Sequence, residues 1–190
     1  MPNQIAIVRI KLKDTHIPIR RRVEVDPNMT LDEFHELIQI VMGWCNCHLH
    51  GFHANGISYF PPYAEDLLSP PSKSTESTKL IDIFNSTKRF TYEYDFGDGW
   101  DHEIVLNRYI EPKKGVKYPI CAAAKGICPP EDIGGVWGYQ DLLEEAKSEN
   151  HSEEFLESID FLGLTVEYLR NIENEPVDID YINEELEIFR

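Results

Sequence analysis

Histidine and acidic side chains that could bind a metal ion occur in separate parts of the chain. His48 and His50 are two residues apart, and on a strand that spacing directs both imidazoles to the same face. Asp95 and His102 flank the tip of an expected hairpin. Mixed histidine and carboxylate ligands suit zinc, manganese or iron. The pattern predicts a divalent metal site, zinc or manganese, formed by His48, His50, Asp95 and His102. The alternative is structural histidines that are hydrogen-bonded in or near the core.

A loop with consecutive prolines carries two further carboxylates. Pro129 and Pro130 restrict the backbone, so Glu131 and Asp132 could be held in position for a partner or a ligand. The alternative is that Asp132 braces a turn completed by the glycines that follow it. Aromatic side chains could line a groove beside this loop or lie in the core. The residues expected to bind a ligand are Asp95, Asp98, Trp100, Asp101, His102, Glu131, Asp132 and Tyr139.

Other reactive residues lack the spacing of a known site. Cys45 and Cys47, together with Cys121 and Cys128, could form a four-thiolate zinc site, but neither pair has the spacing of a zinc knuckle. The alternative is that Cys47 and Cys128 are small buried hydrophobic residues. The sequence has no G-x-S-x-G nucleophile motif, and its closely spaced hairpin glycines do not precede a helix. Nucleophilic catalysis and a phosphate-binding loop are therefore disfavoured.

Residues 90–106 contain the clearest structural pattern, two alternating runs joined by glycines. A two-residue turn would mix apolar and acidic side chains on both faces of the hairpin. A three-residue turn at 97–99 collects the apolar side chains on one face, and burial of one face fixes register. We therefore predict a three-residue turn with Gly99 in the left-handed conformation. The predicted pairs are Phe96 with Trp100, Tyr94 with His102, Tyr92 with Ile104 and Phe90 with Leu106.

The opposite face of this hairpin is expected to be acidic. It would carry Glu93, Asp95, Asp101 and Glu103. Like charges directly across a sheet are destabilising, so these groups need a cation, a basic neighbour, protonation or exposure to water.

Length and charge exclude several classes of protein. A chain of 190 residues predicts one domain, and its net charge of −16 repels nucleic acid and anionic lipid unless charge is segregated. The only basic cluster, residues 20–22, is expected to be solvated or paired with the chain's own carboxylates. The sequence has no signal peptide and no apolar run long enough to cross a membrane, which predicts a cytoplasmic location.

The order of elements predicts an α+β fold. Two alternating segments, 5–12 and 17–25, precede a helix that Thr30 and Glu33 begin with a capping box and Gly43 ends. This order indicates a β-grasp-like mixed sheet with a central β-hairpin, packed by one N-terminal-half helix and closed by C-terminal helices. Within the single domain 1–190 we expect a β-rich part (1–110), a Pro/Gly loop (111–135), a helical part (136–190) and a flexible loop at about 61–79.

Four motifs give the chain a family resemblance. They are Pro-Ile-Arg-Arg-Arg-Val at 18–23, Met-Gly-Trp at 42–44 followed by Cys-His-Leu-His-Gly-Phe at 47–52, Tyr-Glu-Tyr-Asp-Phe-Gly-Asp-Gly-Trp-Asp-His-Glu at 92–103, and Cys-Pro-Pro-Glu-Asp-Ile-Gly-Gly at 128–135. In this order they resemble the plasmid pRiA4b ORF-3-like family over nearly the whole chain. The resemblance implies an association with plasmids and insertion elements, where some members carry a resolvase-like label, but it implies no particular activity. Many relatives have a cysteine at the position of Ile133, which weakens any scheme with a cysteine trio in this loop.

Two classes of function agree with these patterns. The first is a non-catalytic binding or accessory protein, associated with mobile elements, that presents the hairpin and the Pro-Pro-Glu-Asp loop to a protein or small-molecule ligand rather than to nucleic acid or a membrane. The second is a metal-dependent hydrolase or nuclease that uses His48, His50, Asp95, His102, Glu131 and Asp132. The acidic charge and the missing metalloenzyme signature favour the first class.

Overall fold

The computed structural model describes residues 4–65 and 72–190, and within them eight strands form one sheet. In chain order the strands are β1 (Ile5–Leu12), β2 (Arg20–Val25), β3 (His50–Ala54), β4 (Ile57–Phe60), β5 (Ser72–Ser74), β6 (Arg89–Tyr94), β7 (Trp100–Ile110) and β8 (Ile120–Lys125). Their order across the sheet is β5-β4-β3-β6-β7-β1-β2-β8. The sheet is mixed, because β4 and β5 pair in parallel whereas the other described pairs are antiparallel.

Within the described residues, three α-helices lie between strands in the chain, and four follow the last strand. They are α1 (Leu31–Met42), α2 (Pro62–Glu65), α3 (Leu80–Phe84), α4 (Gly135–Lys147), α5 (Glu153–Phe161), α6 (Val166–Asn171) and α7 (Ile179–Glu185). The predicted α+β class is confirmed: a mixed sheet contains the central hairpin β6–β7, α1 packs on it, and C-terminal helices close it. Among the described helices, none is long and apolar enough to cross a membrane.

Helix α1 begins and ends where its sequence signals predict. The Thr30 hydroxyl accepts a hydrogen bond from Glu33 N at 3.1 Å, and the Glu33 carboxylate accepts one from Thr30 N at 2.7 Å. At the other end Gly43 adopts the left-handed conformation that caps a helix. Phe34 of α1 stacks on Phe52 of β3 with ring centroids 6.2 Å apart. The apolar stripe of α1 therefore covers the core face of the sheet.

The central hairpin has the predicted apolar face but not the predicted register. Tyr94 lies opposite Trp100, so the tip contains the five residues 95–99, and the predicted three-residue turn is wrong. Gly99 does adopt the predicted left-handed conformation, with φ 68°. The observed register differs from the predicted one by two residues, which leaves every side chain on the same face. Burial of one face therefore could not distinguish the two registers.

Asp95 accounts for the longer tip. Its backbone takes a left-handed φ of 54°, and its carbonyl accepts a hydrogen bond from Gly99 N at 2.6 Å. Its Oδ1 atom accepts hydrogen bonds from Gly97 N at 3.0 Å and Asp98 N at 3.4 Å. An aspartate that satisfies nearby amides in this way stabilises a turn. Asp95 consequently lies in the tip and not on the acidic face of the strands.

Basic neighbours neutralise the acidic face of the hairpin. The Glu103 carboxylate receives Arg89 Nη1 at 2.6 Å and Arg9 Nη2 at 3.3 Å. Asp101 Oδ2 lies 2.9 Å from Lys13 Nζ. The sequence left open a bound cation, a basic neighbour, protonation or exposure to water for this face. The structure contains the second of these, pairing with basic side chains.

Two segments predicted as loops contain regular structure. The Pro/Gly-rich segment 111–135 includes β8, an edge strand whose run of three alanines has low β propensity. Within 61–79 the described residues form α2 and β5, while 66–71 lie outside the described residues. Helix α6 lies within the segment 136–190 that was expected to be helical. Tertiary pairing, which a local pattern does not contain, explains the strands in both segments.

Candidate metal centre and adjacent groove

Three potential metal ligands from separate segments converge at the tip of the central hairpin. His48 precedes β3, Asp95 lies in the tip, and Asp132 lies in the loop before α4. His48 Nδ1 is 3.7 Å from Asp95 Oδ2, and His48 Nε2 is 3.3 Å from Asp132 Oδ1. One ligand atom from each residue lies within 4.8 Å of the other two. The structure thus brings together two of the four predicted metal ligands and one residue of the predicted ligand loop.

The tip holds the Asp95 carboxylate in a fixed orientation. The tip amides occupy Oδ1, which leaves Oδ2 as the atom that faces His48. Asp95 is 8% exposed, whereas the side chain of Asp132 is 75% exposed. The cluster therefore has one buried, preorganised carboxylate and one carboxylate that solvent can reach.

Glu131 anchors the loop that carries Asp132. Its Oε1 atom accepts a hydrogen bond from the Tyr94 hydroxyl at 2.5 Å, and its Oε2 atom accepts one from Cys45 N at 2.7 Å. Burial and this carboxylate raise the pKa of Tyr94. The indole of Trp44 donates to the carbonyl of Pro129 at 3.0 Å. Both oxygens of Glu131 accept hydrogen bonds within the protein. Glu131 therefore positions the loop and is not free to bind a ligand.

Two glycines allow helix α4 to approach this loop and the hairpin tip. A Cβ atom on Gly135 would lie 2.1 Å from the carbonyl oxygen of Asp98, and one on Gly138 would lie 1.7 Å from the carbonyl oxygen of Ile133. Real Cβ atoms do not approach backbone oxygens so closely. Glycine is therefore required at Gly135 to seat α4 against the tip, beside Asp98, and at Gly138 to leave room for the carbonyl of Ile133 in the loop.

His50 does not join the metal cluster. Strand β3 begins at His50, so His48 lies outside the strand and the period-two rule that would place the two imidazoles side by side does not apply. The His50 ring is 2% exposed and stacks on the ring of His35 with centroids 3.4 Å apart. Burial lowers the pKa of His50 to about 3. His50 is a neutral core residue.

Three other predicted site residues lie in the core. Trp100 and His102 belong to the buried face of β7, and Tyr139 belongs to the buried face of α4. Burial lowers the pKa of His102 to about 4. Alternation on β7 turns Trp100 and His102 inward, so both lie on the apolar face expected for the hairpin and not on a surface that a ligand can reach. Asp101, on the opposite face, pairs with Lys13 away from the cluster.

The cysteines do not form the four-thiolate site considered from the sequence. Cys45 and Cys47 are exposed, while Cys121 is buried. Within the described residues, no cysteine belongs to a group of potential metal ligands. Burial raises the pKa of both Cys121 and Cys128, so these thiols stay protonated. They act as small core residues beside Arg21.

A groove of about 700 Å³ opens beside Asp132, between helices α4 and α5. Its carboxylates are Glu131, Asp132, Asp141, Glu145, Glu154 and Glu157, and its apolar lining residues include Ile133, Leu142, Phe155, Phe161 and Leu162. No basic residue is among those that the structure describes along it. The Phe161 side chain is 91% exposed. Sequence reasoning missed this groove, although Asp141 and Glu145, four residues apart, share one face of α4.

The cluster has the donor set of a transition-metal site. One imidazole nitrogen and two carboxylate oxygens are ligands that zinc and manganese accept. Ligand atoms bound to one ion at about 2.0–2.2 Å lie at most about 4.4 Å apart, close to the separation in this cluster. Three protein ligands would leave at least one position open toward the groove. His48, Asp95 and Asp132 therefore fit a divalent metal ion.

Comparison with known proteins gives a family description. A family model described as "Plasmid pRiA4b ORF-3-like protein" matches residues 4–168. A curated protein of Sinorhizobium fredii (strain NBRC 101917 / NGR234), named "Uncharacterized protein y4hQ", is 36% identical over 160 residues, which span 83% of this chain and 81% of that protein.

A solved structure has the same fold. It is described as "Crystal Structure of Protein of Unknown Function MM3350 from Methanosarcina mazei Go1" and is 32% identical to this chain. The two structures superpose with a TM-score of 0.79 over 94% of this chain and 96% of the other. Neither name states an activity, so any inference about function rests on the geometry of the site.

Proposed function

This chain belongs to the plasmid pRiA4b ORF-3-like family, and we propose that it is a non-catalytic binding protein with a divalent metal site. In this proposal His48, Asp95 and Asp132 bind zinc or manganese, and the adjacent acidic groove receives a cationic protein segment or amine. The observation that carries the proposal is the convergence of these three side chains within 4.8 Å, from segments far apart in the sequence. The plasmid origin of the family name supports an accessory role beside mobile elements.

The proposed ligand of the groove follows from its charge and its apolar lining. Carboxylates surround a surface that includes Leu142 and the exposed ring of Phe161. Such a surface is complementary to a segment with both basic and apolar side chains, and it repels phosphate groups. A metal ion at the edge of the groove would reduce the local negative charge and could contact a donor atom of the same ligand.

The experiment is metal analysis of the full chain, purified without a histidine tag or chelator. We expect close to one zinc or manganese ion per chain, or calorimetric binding of added Zn²⁺ or Mn²⁺ with the same stoichiometry. Asp132→Asn should lower the affinity at least tenfold without unfolding, because Asp132 is exposed. The control is Asp141→Asn, which removes a charge from the groove but not from the cluster and should leave metal affinity unchanged.

Two results would refute the metal site. One is a folded protein that binds neither metal at millimolar concentration. The other is an equal loss of affinity in the Asp132 and Asp141 variants, which would indicate general attraction of cations by the acidic groove.

A metal-dependent hydrolase is the second candidate function. The observation in its favour is the open coordination position beside a groove, an arrangement found in catalytic zinc sites. Against it, both oxygens of Glu131 are engaged, and His50 and His102 are buried, so the cluster lacks an obvious general base. Metal-dependent turnover of ester or phosphodiester substrates that Asp132→Asn abolishes would favour this candidate.

A further inference from the structure

A basic region lies on the outer face of the sheet, in a chain whose net charge is −16. Strands β1, β2 and β8 are neighbours at this end of the sheet. Arg9 and Lys11 of β1, Arg20 and Arg22 of β2, and Lys125 at the end of β8 contribute its positive charges. Charge is therefore segregated in this protein, which its overall composition does not reveal.

The cations of this region face each other in register. Arg9 lies opposite Arg22, and Lys11 lies opposite Arg20 across the β1–β2 pair. Arg20 in turn lies opposite Lys125 across the β2–β8 pair. Like charges directly opposite each other destabilise a sheet. A sheet that contains three such pairs gains stability from an anion bound between them.

Most of these charges have no acidic partner among the residues that the structure describes. Arg9 pairs with Glu103. Among the residues that the structure describes, Arg20, Arg22 and Lys125 form no ion pair with a carboxylate, and all three are exposed. They are therefore available to an external anion.

These side chains line a concave site. A groove of about 430 Å³ is lined by Arg9, Arg20, Arg21, Arg22, Asn107, Ala123, Ala124 and Lys125. Ala123, which lies opposite the exposed Arg22, is short, so a ligand can come close to the backbone between the long basic side chains.

Arg21 makes the base of this groove rigid. Its guanidinium donates to the carbonyls of Val41, Arg20, Lys125 and Gly126 at 2.6–3.1 Å, and it is buried. These bonds tie β2 to β8 and to the end of α1. The exposed arginines on either side of Arg21 consequently project from a fixed backbone.

We propose that this groove binds an oligophosphate, such as the di- or triphosphate group of a phosphorylated small molecule, through Arg20, Arg22 and Lys125. Guanidinium groups bind phosphate oxygens with bidentate hydrogen bonds, and three unpaired cations match the charge of a short phosphate chain. The site is distinct from the metal cluster, and neither site depends on the other.

The size of the region favours a small ligand over nucleic acid. Strands lie about 4.8 Å apart, so the three strands span only about 10 Å. Even a single nucleic-acid-binding module buries about 600 Å² or more of protein surface, and the acidic remainder of this chain would repel a long phosphate backbone. The groove lining also contains no aromatic side chain on which a base could stack.

The test is calorimetric titration of the full chain with sodium tripolyphosphate and pyrophosphate, in metal-free buffer at constant ionic strength. Arg20→Gln/Arg22→Gln should weaken binding at least tenfold. The control Lys88→Gln/Lys147→Gln removes two exposed charges outside the groove and should change binding less than twofold. Lys125→Gln is a second groove variant, with a smaller expected loss, should the double variant fail to fold.

Thermal unfolding without ligand gives an independent readout. Because the arginines repel one another, the Arg20→Gln/Arg22→Gln variant should unfold at the same temperature as the wild type or at a higher one. Lower stability together with unchanged tripolyphosphate binding would assign the arginines a structural role and overturn the proposal. No binding by the wild type, an equal loss in the lysine control, or tighter binding of a single-stranded oligonucleotide than of tripolyphosphate would overturn it as well.

Discussion

Asp95 has two roles at the tip of the central hairpin, and substitutions can separate them. Oδ1 accepts hydrogen bonds from the tip amides, and Oδ2 faces His48. Asparagine keeps an acceptor oxygen and tolerates the left-handed backbone, whereas alanine supplies no acceptor and is strained there. The two substitutions therefore affect metal binding and folding differently.

We predict that Asp95→Asn lowers metal affinity at least tenfold and changes the free energy of unfolding by less than about 1 kcal/mol. Asp95→Ala should lower metal affinity and also destabilise the protein by about 2–3 kcal/mol, from lost hydrogen bonds and backbone strain. Urea denaturation combined with metal titration measures both quantities. Equal stability of the two variants would show that the side-chain hydrogen bonds at the tip are unimportant.

The sequence predicted the types of residue in the site better than their positions. His48 and Asp95 were expected as metal ligands, and Asp132 was expected in the ligand loop. His50 was expected because it is two residues from His48, and His102 because it flanks the hairpin tip with Asp95, yet both side chains are buried. Convergence of 48, 95 and 132 depends on tertiary contacts, such as that between Glu131 and Tyr94, which no local spacing encodes.

At the scale of elements, the site depends on the contact between helix α4 and the hairpin tip. Gly135 and Gly99 have nearly the same left-handed backbone, with φ 66° and 68°. A Cβ atom at Gly135 would meet the Asp98 carbonyl oxygen at 2.1 Å, whereas one at Gly99 would meet nothing within 4 Å. The two glycines thus differ in close approach but not in backbone strain.

We predict that Gly99→Ala costs about 1–2 kcal/mol of stability, the ordinary cost of a left-handed alanine. Gly135→Ala should cost about 3 kcal/mol or more, because α4 must move away from the tip. It should also weaken metal binding, since Asp132 lies just before α4. Chemical denaturation and metal titration of both variants check this, and equal destabilisation would mean that α4 is not held against the tip.

Local signals predicted the elements that depend on local chemistry. The capping box placed the start of α1, and alternation placed β1 and the apolar face of β6–β7. Strand β8 was missed because an alanine-rich edge strand is defined by its partner β2 and not by its own side chains. The length of the hairpin tip was missed because one side chain, Asp95, replaces the hydrogen bonds of a shorter turn.

At the scale of the whole molecule, buried histidines couple stability to pH. Burial lowers the pKa of His35 and of His102 to about 4, and that of His50 to about 3, from an ordinary value near 6.5. His35 also forms hydrogen bonds with Tyr92 and Asn46 at 2.8 Å, and the bond to Asn46 offsets only part of the effect of burial on its pKa. At pH values below the ordinary histidine pKa and above the lowered pKa values of the folded chain, the unfolded chain therefore binds up to three more protons than the folded chain.

We predict that stability is complete above about pH 6.5 and falls as the pH decreases toward 4. Each histidine contributes a slope of about 1.4 kcal/mol per pH unit, so three together give about 4 kcal/mol per unit near pH 5. Urea denaturation at several pH values measures this slope. His102→Gln should reduce it by about a third, whereas the exposed His16→Gln should not change it; a slope that both variants leave intact would contradict the assignment.

The burial of Arg21 has a consequence for helix α1. The first turn of α1 carries Asp32 and Glu33, but its last turn has no basic residue to complement the negative end of the helix dipole. Arg21 Nε donates to the carbonyl of Val41 at 2.6 Å, in that last turn. A strand thus supplies the charge that the helix lacks. Any movement of α1 along the sheet would cost this electrostatic contact, which couples the helix position to the strand that forms the basic groove.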